Sequence, residues 1–344
     1  MRRLTLILSD LYFPEESAPA GLPPAVDLPS LDALLRFASP RPRLTDWRRW
    51  LADEVGAHGL STRPVAQLCA RDVLSAAEEG GAWLATPVHL EARLDHVRLA
   101  DRGLLALDPH ERETLRANFD ATFGPQYRLH DLGERGFLLS GLANTRVPTV
   151  DPARLLDADI GPALPTGPAA AELRRLGAEI EMWLHAAPLN AARERLRQRR
   201  ISALWLWGGG PGADEGVAER ADRVPDRRVL MHGTDPFLAA LDRIAFQASG
   251  AGSHVRPMPA TFGELATDSP EVLVELAPLS SAARDALHSL EADWFAPVRA
   301  ALAARALSEF VFVANDRCFV TPAGSAWKFW RSRRPWLTQL ATHR

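Results

Sequence analysis

The spacing of apolar positions changes along this chain, and each change marks an element. Leu4 to Leu8 is a short unbroken apolar run, the pattern of a strand buried on both faces. It stops at Ser9-Asp10, and a proline-rich loop follows with Pro14, Pro19, Pro23, Pro24 and Pro29. Asp27 to Phe37 then shows leucines at helical spacing with a proline near the start, which predicts a helix. Leu44 to His58 and Val65 to Glu79 predict two more amphipathic helices. Around Pro87 the period shortens. Trp83-Leu84-Ala85 and His96-Val97-Arg98-Leu99 predict strands. Asp108 to Phe119 predicts a helix, with Asp108 as its cap and Pro109 in the first turn. Tyr127 to Leu139 predicts a hairpin, and 149–168 a loop. Ala169 to His185 and Asn190 to Gln198 predict helices.

The strongest strand pattern is Ser202 to Trp207, which runs into Gly208-Gly209-Gly210-Pro211. A buried strand ending in a glycine turn is typical of parallel α/β sheets. Arg228 to Met231, Val272 to Leu276 and Glu309 to Ala314 predict three further strands, with helices at Asp235 to Phe246 and Ala282 to Ala304 between them. This alternation predicts a mostly parallel sheet covered by helices. No internal repeat is present. The expected division is an α/β core at 1–80 and 201–344, with an inserted α+β cap at 81–200. The cleft between them is then the default ligand site.

Composition narrows the class. The chain has 344 residues, 47% hydrophobic, with a formal net charge of -3. That size supports a sizeable core, and the charge leaves no electrostatic footprint for nucleic acid or a membrane surface. Lys328 is the one lysine among 40 basic residues, a coding bias rather than a functional signal. Cys69 and Cys318 are the two cysteines. They exclude a disulfide scaffold and are too few for a thiolate zinc site. The N-terminal apolar run is too short for a signal peptide, no stretch reaches the roughly 18–20 apolar residues of a span, and the expected location is the cytoplasm.

Several residues invite chemistry. Asp10 and Asp316 each follow a strand, as metal ligands or as turn caps. Gly208, Gly209 and Gly210 either cradle a phosphate or make a tight turn. Asn190 and Arg193 either bind a phosphate or carboxylate or sit as a helix-surface pair. On a strand His89, Glu91, Arg93 and Asp95 share a face, while His96 faces away; a polar cleft wall is the preferred reading over a metal site. The segment Trp327 to Trp336 mixes arginines with tryptophans. It suits a protein partner better than nucleic acid, or it docks its own aromatics while the arginines reach water.

The order of these features resembles the archaeal-type cofactor-independent phosphoglycerate mutases of the alkaline-phosphatase superfamily, as a divergent bacterial branch. The resemblance rests on Leu6-Ile7-Leu8-Ser9-Asp10, on Pro29-Ser30-Leu31-Asp32, on Asn190-Ala191-Ala192-Arg193, on Leu204-Trp205-Leu206-Trp207-Gly208, and on Val311-Phe312-Val313-Ala314-Asn315-Asp316. It implies Asp10 and Asp316 as metal ligands; Asn190, Arg193, the three glycines and Arg317 are the candidate substrate-binding residues. It also implies serine-mediated phosphoryl transfer on two divalent metals, about 3.5–4 Å apart. The departures are specific. Arg317 stands where the family has histidine, and a guanidinium ligates no metal. The family's D-x-x-x-H should follow Val274 to Pro278, but the chain continues Leu279-Ser280-Ser281. The nucleophile position falls on Arg63 or Pro64, so Ser61 or Thr62 serves only if the turn shifts.

The expectation is therefore a catalytically degenerate relative with no cofactor. It would bind a small phosphorylated or carboxylated metabolite, or a partner protein, in a regulatory role. One alternative is an active mutase or phosphatase with manganese or zinc, its site rebuilt from Asp27, Asp32 or Asp235. Another is an interaction module acting through the aromatic, basic C-terminus.

Overall fold

The computed structural model describes residues 1–12, 26–58, 60–71, 73–74, 81–211, 229–245, 255–265, 269–278, 286–325 and 330–341. The chain forms two compact units. One takes 1–57, 223–234 and 242–344; the other takes 58–222 and 235–241. In chain order the strands are β1 (Arg3–Leu8) and β2 (Ser39–Pro40), then β3 (Trp83–Ala92), β4 (Val97–Leu104), β5 (Arg128–Asp131), β6 (Phe137–Ser140) and β7 (Ala203–Trp207). The last five are β8 (Leu230–His232), β9 (Val255–Arg256), β10 (Glu271–Leu276), β11 (Glu309–Ala314) and β12 (Arg317–Pro322).

The first unit is built on a seven-stranded, mostly parallel sheet in the order β2-β12-β11-β1-β10-β8-β9. β1 sits between β10 and β11, parallel to both, with Ile7 opposite Glu275 and Val313. Its position explains its composition: Leu4, Leu6, Ile7 and Leu8 are all buried, because a central strand of a covered sheet meets apolar side chains on both faces. The helix Pro29–Phe37 packs Leu31, Leu34 and Leu35 into the core on one side of the sheet, with Pro29 in its first turn. Trp294, Phe295 and Val298 join the same cluster. β11 turns back into antiparallel β12 through Asn315-Asp316, whose φ angles are 49° and 55°. Two successive left-handed residues between paired strands make a type I′ hairpin, and Asn and Asp tolerate that conformation best after glycine.

The second unit carries a five-stranded antiparallel sheet. β3 is its long spine. β7 pairs with one edge of β3, and β6 and then β4 share the other. The helices Pro109–Phe123 and Ala171–His185 bury Phe119, Leu176 and Ile180 against it. The helix at 109 starts with a full capping box between Asp108 and Glu111.

Two expectations need correction. β7 runs antiparallel to β3 in the second sheet, not within the parallel sheet. A continuous apolar run signals burial and carries no information on strand direction. By contacts the chain divides near 57/58 and 222/223, with 235–241 also in the second unit. The second amphipathic helix is shorter than its pattern, Val65–Ala70, and 75–80 lie outside the described residues. Among the described residues no helix is long and apolar enough to cross a membrane.

Candidate functional site

Open parallel sheets present ligand crevices at the carboxyl ends of their strands. At that end of the first sheet lie Ser9 and Asp10 after β1, Glu275 in β10, His232 in β8 and Asp316 after β11. All five are buried. Asp10 and Asp316 therefore reach the same end of adjacent strands, and Asn315 N–H donates to the Leu11 carbonyl at 3.0 Å between them. Asp316 also has a purely local reason to be there, as the second central residue of the I′ turn.

Glu275 joins the strand ends. A carboxylate this deep must be hydrogen-bonded to persist. The Ser9 hydroxyl donates to one oxygen, and the Thr234 N–H donates to the other at 3.2 Å. The group thus ties the ends of β1 and β8 across β10. His232 stands beside it, opposite Val274. Its Nδ1 lies 2.7 Å from the Pro257 carbonyl. A carbonyl only accepts, so Nδ1 carries a proton, and in the neutral ring Nε2 is then the acceptor. That Nε2 is buried and meets no hydrogen-bonding partner among the described residues.

A two-metal cluster does not fit these residues. No group of three or more His, Cys, Asp or Glu among the described residues is placed to hold a metal ion, and Glu275 is engaged by protein donors on both oxygens. The rebuilt-site carboxylates are engaged as well. Asp32 accepts from Trp336 N–H and is pushed above the usual carboxylate range, chiefly by burial. Asp235 accepts from Phe237 N–H at 2.9 Å at the start of the helix Pro236–Ala245, and Asp27 is exposed. Arg317 is half-buried, and burial followed by the nearby Arg43 lowers its pKa. Its guanidinium carbon lies 6.0 Å from the Phe319 ring centre. Leu279 to Ser281 lie outside the described residues.

The remaining candidates belong to the second unit. Asn190 is fully engaged. Its Nδ2 donates to the carbonyls of Leu184 at 2.8 Å and Ile201 at 2.9 Å, and its Oδ1 accepts from Ile201 N–H at 2.8 Å. Arg193 donates from Nε to the Arg199 carbonyl and pairs with Glu111 at 2.5 Å. Gly208 and Gly210 have φ of 69° and 108°, and Gly208 N–H donates to the Thr149 hydroxyl at 3.1 Å. A Cβ on Gly209 would stand 2.4 Å from Trp83 and 2.5 Å from the Ala82 carbonyl. These glycines make the turn and let it press on Trp83. Gly209→Ala is expected to lower stability by about 1–3 kcal/mol through overpacking, measured as a fall in the urea midpoint. An unchanged midpoint would mean the turn has slack.

Ser61 Oγ donates to the His58 carbonyl at 2.7 Å in a turn, and Thr62 follows in the same turn. His89 Nδ1 lies 2.9 Å from the Arg200 carbonyl. Asp95 and His96 form an exposed pair at 2.7 Å in the turn between β3 and β4. They are not on the strand with His89, so the expected shared face does not form. Arg98 links Glu91 to Asp157, and its hydrogen bond holds the Glu91 carboxyl below the usual range. At the C-terminus, 326–329 lie outside the described residues. Trp330 is exposed, whereas Trp336 is buried and donates from Nε1 to the Val26 carbonyl at 3.0 Å.

Sequence reasoning missed Glu275 and His232. A signal existed for the first: a lone acid inside the apolar run Val272-Leu273-Val274-Glu275-Leu276. His232 offered only its place before Gly233 at the end of a strand.

No protein-family model matches the chain, and no curated protein matches it. Two solved structures resemble it loosely. PH0037 protein from Pyrococcus horikoshii is 13% identical, with 93% of this chain and 87% of that one covered at a TM-score of 0.44. The cofactor-independent phosphoglycerate mutase from Thermoplasma acidophilum DSM 1728 is 14% identical, with 93% and 89% covered at a TM-score of 0.38. Scores this low carry no argument about function, which rests on the residues.

Proposed function

We propose that this chain is a phosphoglycerate-mutase-like protein without two-metal chemistry, which binds a small phosphorylated or carboxylated metabolite at the carboxyl end of its parallel sheet. A regulatory role follows from binding without turnover. The observation that carries the reading is the engagement of Glu275 by Ser9 and Thr234. Protein donors hold both Glu275 oxygens and tie the ends of β1 and β8 across β10. His232 supplies the complementary feature. Its oriented Nε2 accepts from a ligand hydroxyl, a group that phosphorylated hydroxy acids carry.

The test is conversion of 3-phosphoglycerate to 2-phosphoglycerate by the purified chain with added manganese or zinc, alongside calorimetric titration of 3-phosphoglycerate, 2-phosphoglycerate and inorganic phosphate. The expected result is no turnover, with saturable binding that His232→Ala weakens. Turnover abolished by Asp10→Ala would mean a rebuilt metal site and overturn the reading. Absence of binding by folded protein would remove the metabolite.

A further inference from the structure

The helix Ala171–His185 carries a glycine near its centre. Gly177 is the seventh of its 15 residues, and glycine is the poorest helix former after proline. A helix usually keeps such a glycine for a packing or functional reason. Packing gives none here: a Cβ on Gly177 would meet nothing within 4 Å. The residue lines a hollow of about 240 Å³ within the second unit. The floor is apolar, with Leu173 from the helix and Leu204 and Leu206 from β7, all buried. Leu164 stands at the side and is 46% exposed, so one large apolar side chain is left partly in water beside the open space.

The hollow is preformed. The loop that carries Leu164 is fixed on both sides. Ile160 N–H donates to the Val97 carbonyl at 3.0 Å, and Arg174 donates to the carbonyls of Pro165 and Gly167 at 3.1 Å each. The charges at the rim cancel. Arg174 and Glu181 are both exposed and opposite in sign, so neither an anion nor a cation is selected. One polar group is left to give. Thr149 lines the hollow, and its hydroxyl oxygen accepts from Gly208 N–H at 3.1 Å. That is the hydroxyl's one hydrogen bond among the described residues, so its own hydrogen remains a donor.

We propose that this hollow binds a small neutral aromatic molecule of two fused rings, with the rings over Gly177 and a ring acceptor facing the Thr149 hydroxyl. An apolar lining with a few placed polar groups is the usual make-up of a small-molecule pocket. Size sets the class. A dry cavity of about 150 Å³ takes benzene, so a hollow of about 240 Å³ takes roughly ten non-hydrogen atoms in proportion. That is one fused ring pair and less than a peptide strand. Covering the exposed part of Leu164 adds to the apolar area removed from water. This inference concerns a different unit from the metabolite crevice and stands or falls apart from it.

The test titrates the full chain with three probes and follows its leucine methyl groups by NMR. Quinoline has two fused rings and a ring nitrogen that accepts. Naphthalene has the same shape without the nitrogen, and 1-naphthoate adds a negative charge. Both neutral rings should bind saturably and shift the methyl signals of Leu164, Leu173 and Leu204. 1-Naphthoate should bind more weakly than naphthalene, because an apolar floor offers its carboxylate nothing in exchange for water. Thr149→Val should weaken quinoline about two- to tenfold, the range for one hydrogen bond, and leave naphthalene unchanged. Gly177→Leu should remove binding of both rings while the melting temperature holds or rises, because its side chain fills the hollow and leucine is the better helix residue. No saturable shift with either ring would overturn the proposal. So would binding that survives Gly177→Leu, or shifts confined to methyl groups elsewhere, since both place the rings outside the hollow. Tighter binding of 1-naphthoate would overturn the neutral class, and unchanged quinoline affinity in Thr149→Val would overturn the polar anchor.

Discussion

Arg193→Met is expected to destabilise the second unit by about 3–5 kcal/mol, the range for breaking a buried ion pair from one side. Arg193 and Glu111 expose only 6% and 12% of their side chains, so neither charge is left to water. Glu111 is also half of a capping box, its other oxygen accepting from Asp108 N–H at 3.1 Å. Removing the guanidinium leaves a buried carboxylate that still has to hold the start of the helix Pro109–Phe123. It also leaves the Arg199 carbonyl without its donor from Nε. The cause can be isolated by adding Glu111→Gln to Arg193→Met. The second change removes the uncompensated charge and should cost less in the variant than in the parent protein. Equal costs in the two backgrounds would mean that the pair is not coupled. If Arg193 instead served a ligand, the urea midpoint would hold and metabolite affinity would fall.

Asn190→Ala should cost about 2–4 kcal/mol, because buried Ile201 would lose partners for both its N–H and its carbonyl at once. Asn190 sits three residues before Arg193 on the helix Pro188–Arg195. It fastens that helix to the end of the preceding one, through Leu184, and to the entry of β7, through Ile201. Asn190→Asp should be no better than alanine. Aspartate can accept from Ile201 N–H but cannot donate to two carbonyls. A normal denaturation midpoint for either variant would show that the amide is not a structural fastener and return it to the ligand side.

These two residues show where sequence reasoning stopped. The N-x-x-R spacing placed Asn190 and Arg193 together on a helix, as ligand contacts or a surface pair, whereas both are buried. The reason lies 82 residues back at Glu111 for the arginine and 11 residues on at Ile201 for the asparagine. Neither partner can be inferred from the helix itself. The hairpin at Asn315-Asp316 differs in kind. Its turn chemistry is local, yet the sequence leaves metal ligand and turn cap both open, because an aspartate after a strand suits both roles. The two positive φ angles favour the turn.

By itself the amino-acid sequence determined the strands that later became β1, β10 and β11, the capped helix at 109, the glycine turn after Trp207, and the mixture of α/β and α+β segments. Each is a matter of local period, local capping or local backbone freedom, and each is legible within one window of the chain. Only the tertiary structure decided the direction and sheet of β7, the inward engagement of Asn190 and Arg193, and the meeting of Ser9, His232, Thr234 and Glu275. A continuous apolar run reports burial on both sides but not which strand will lie beside it. A polar side chain reports that it needs partners but not which segments will supply them. Those choices depend on contacts across as many as 266 residues, and such contacts exist only once the chain has folded.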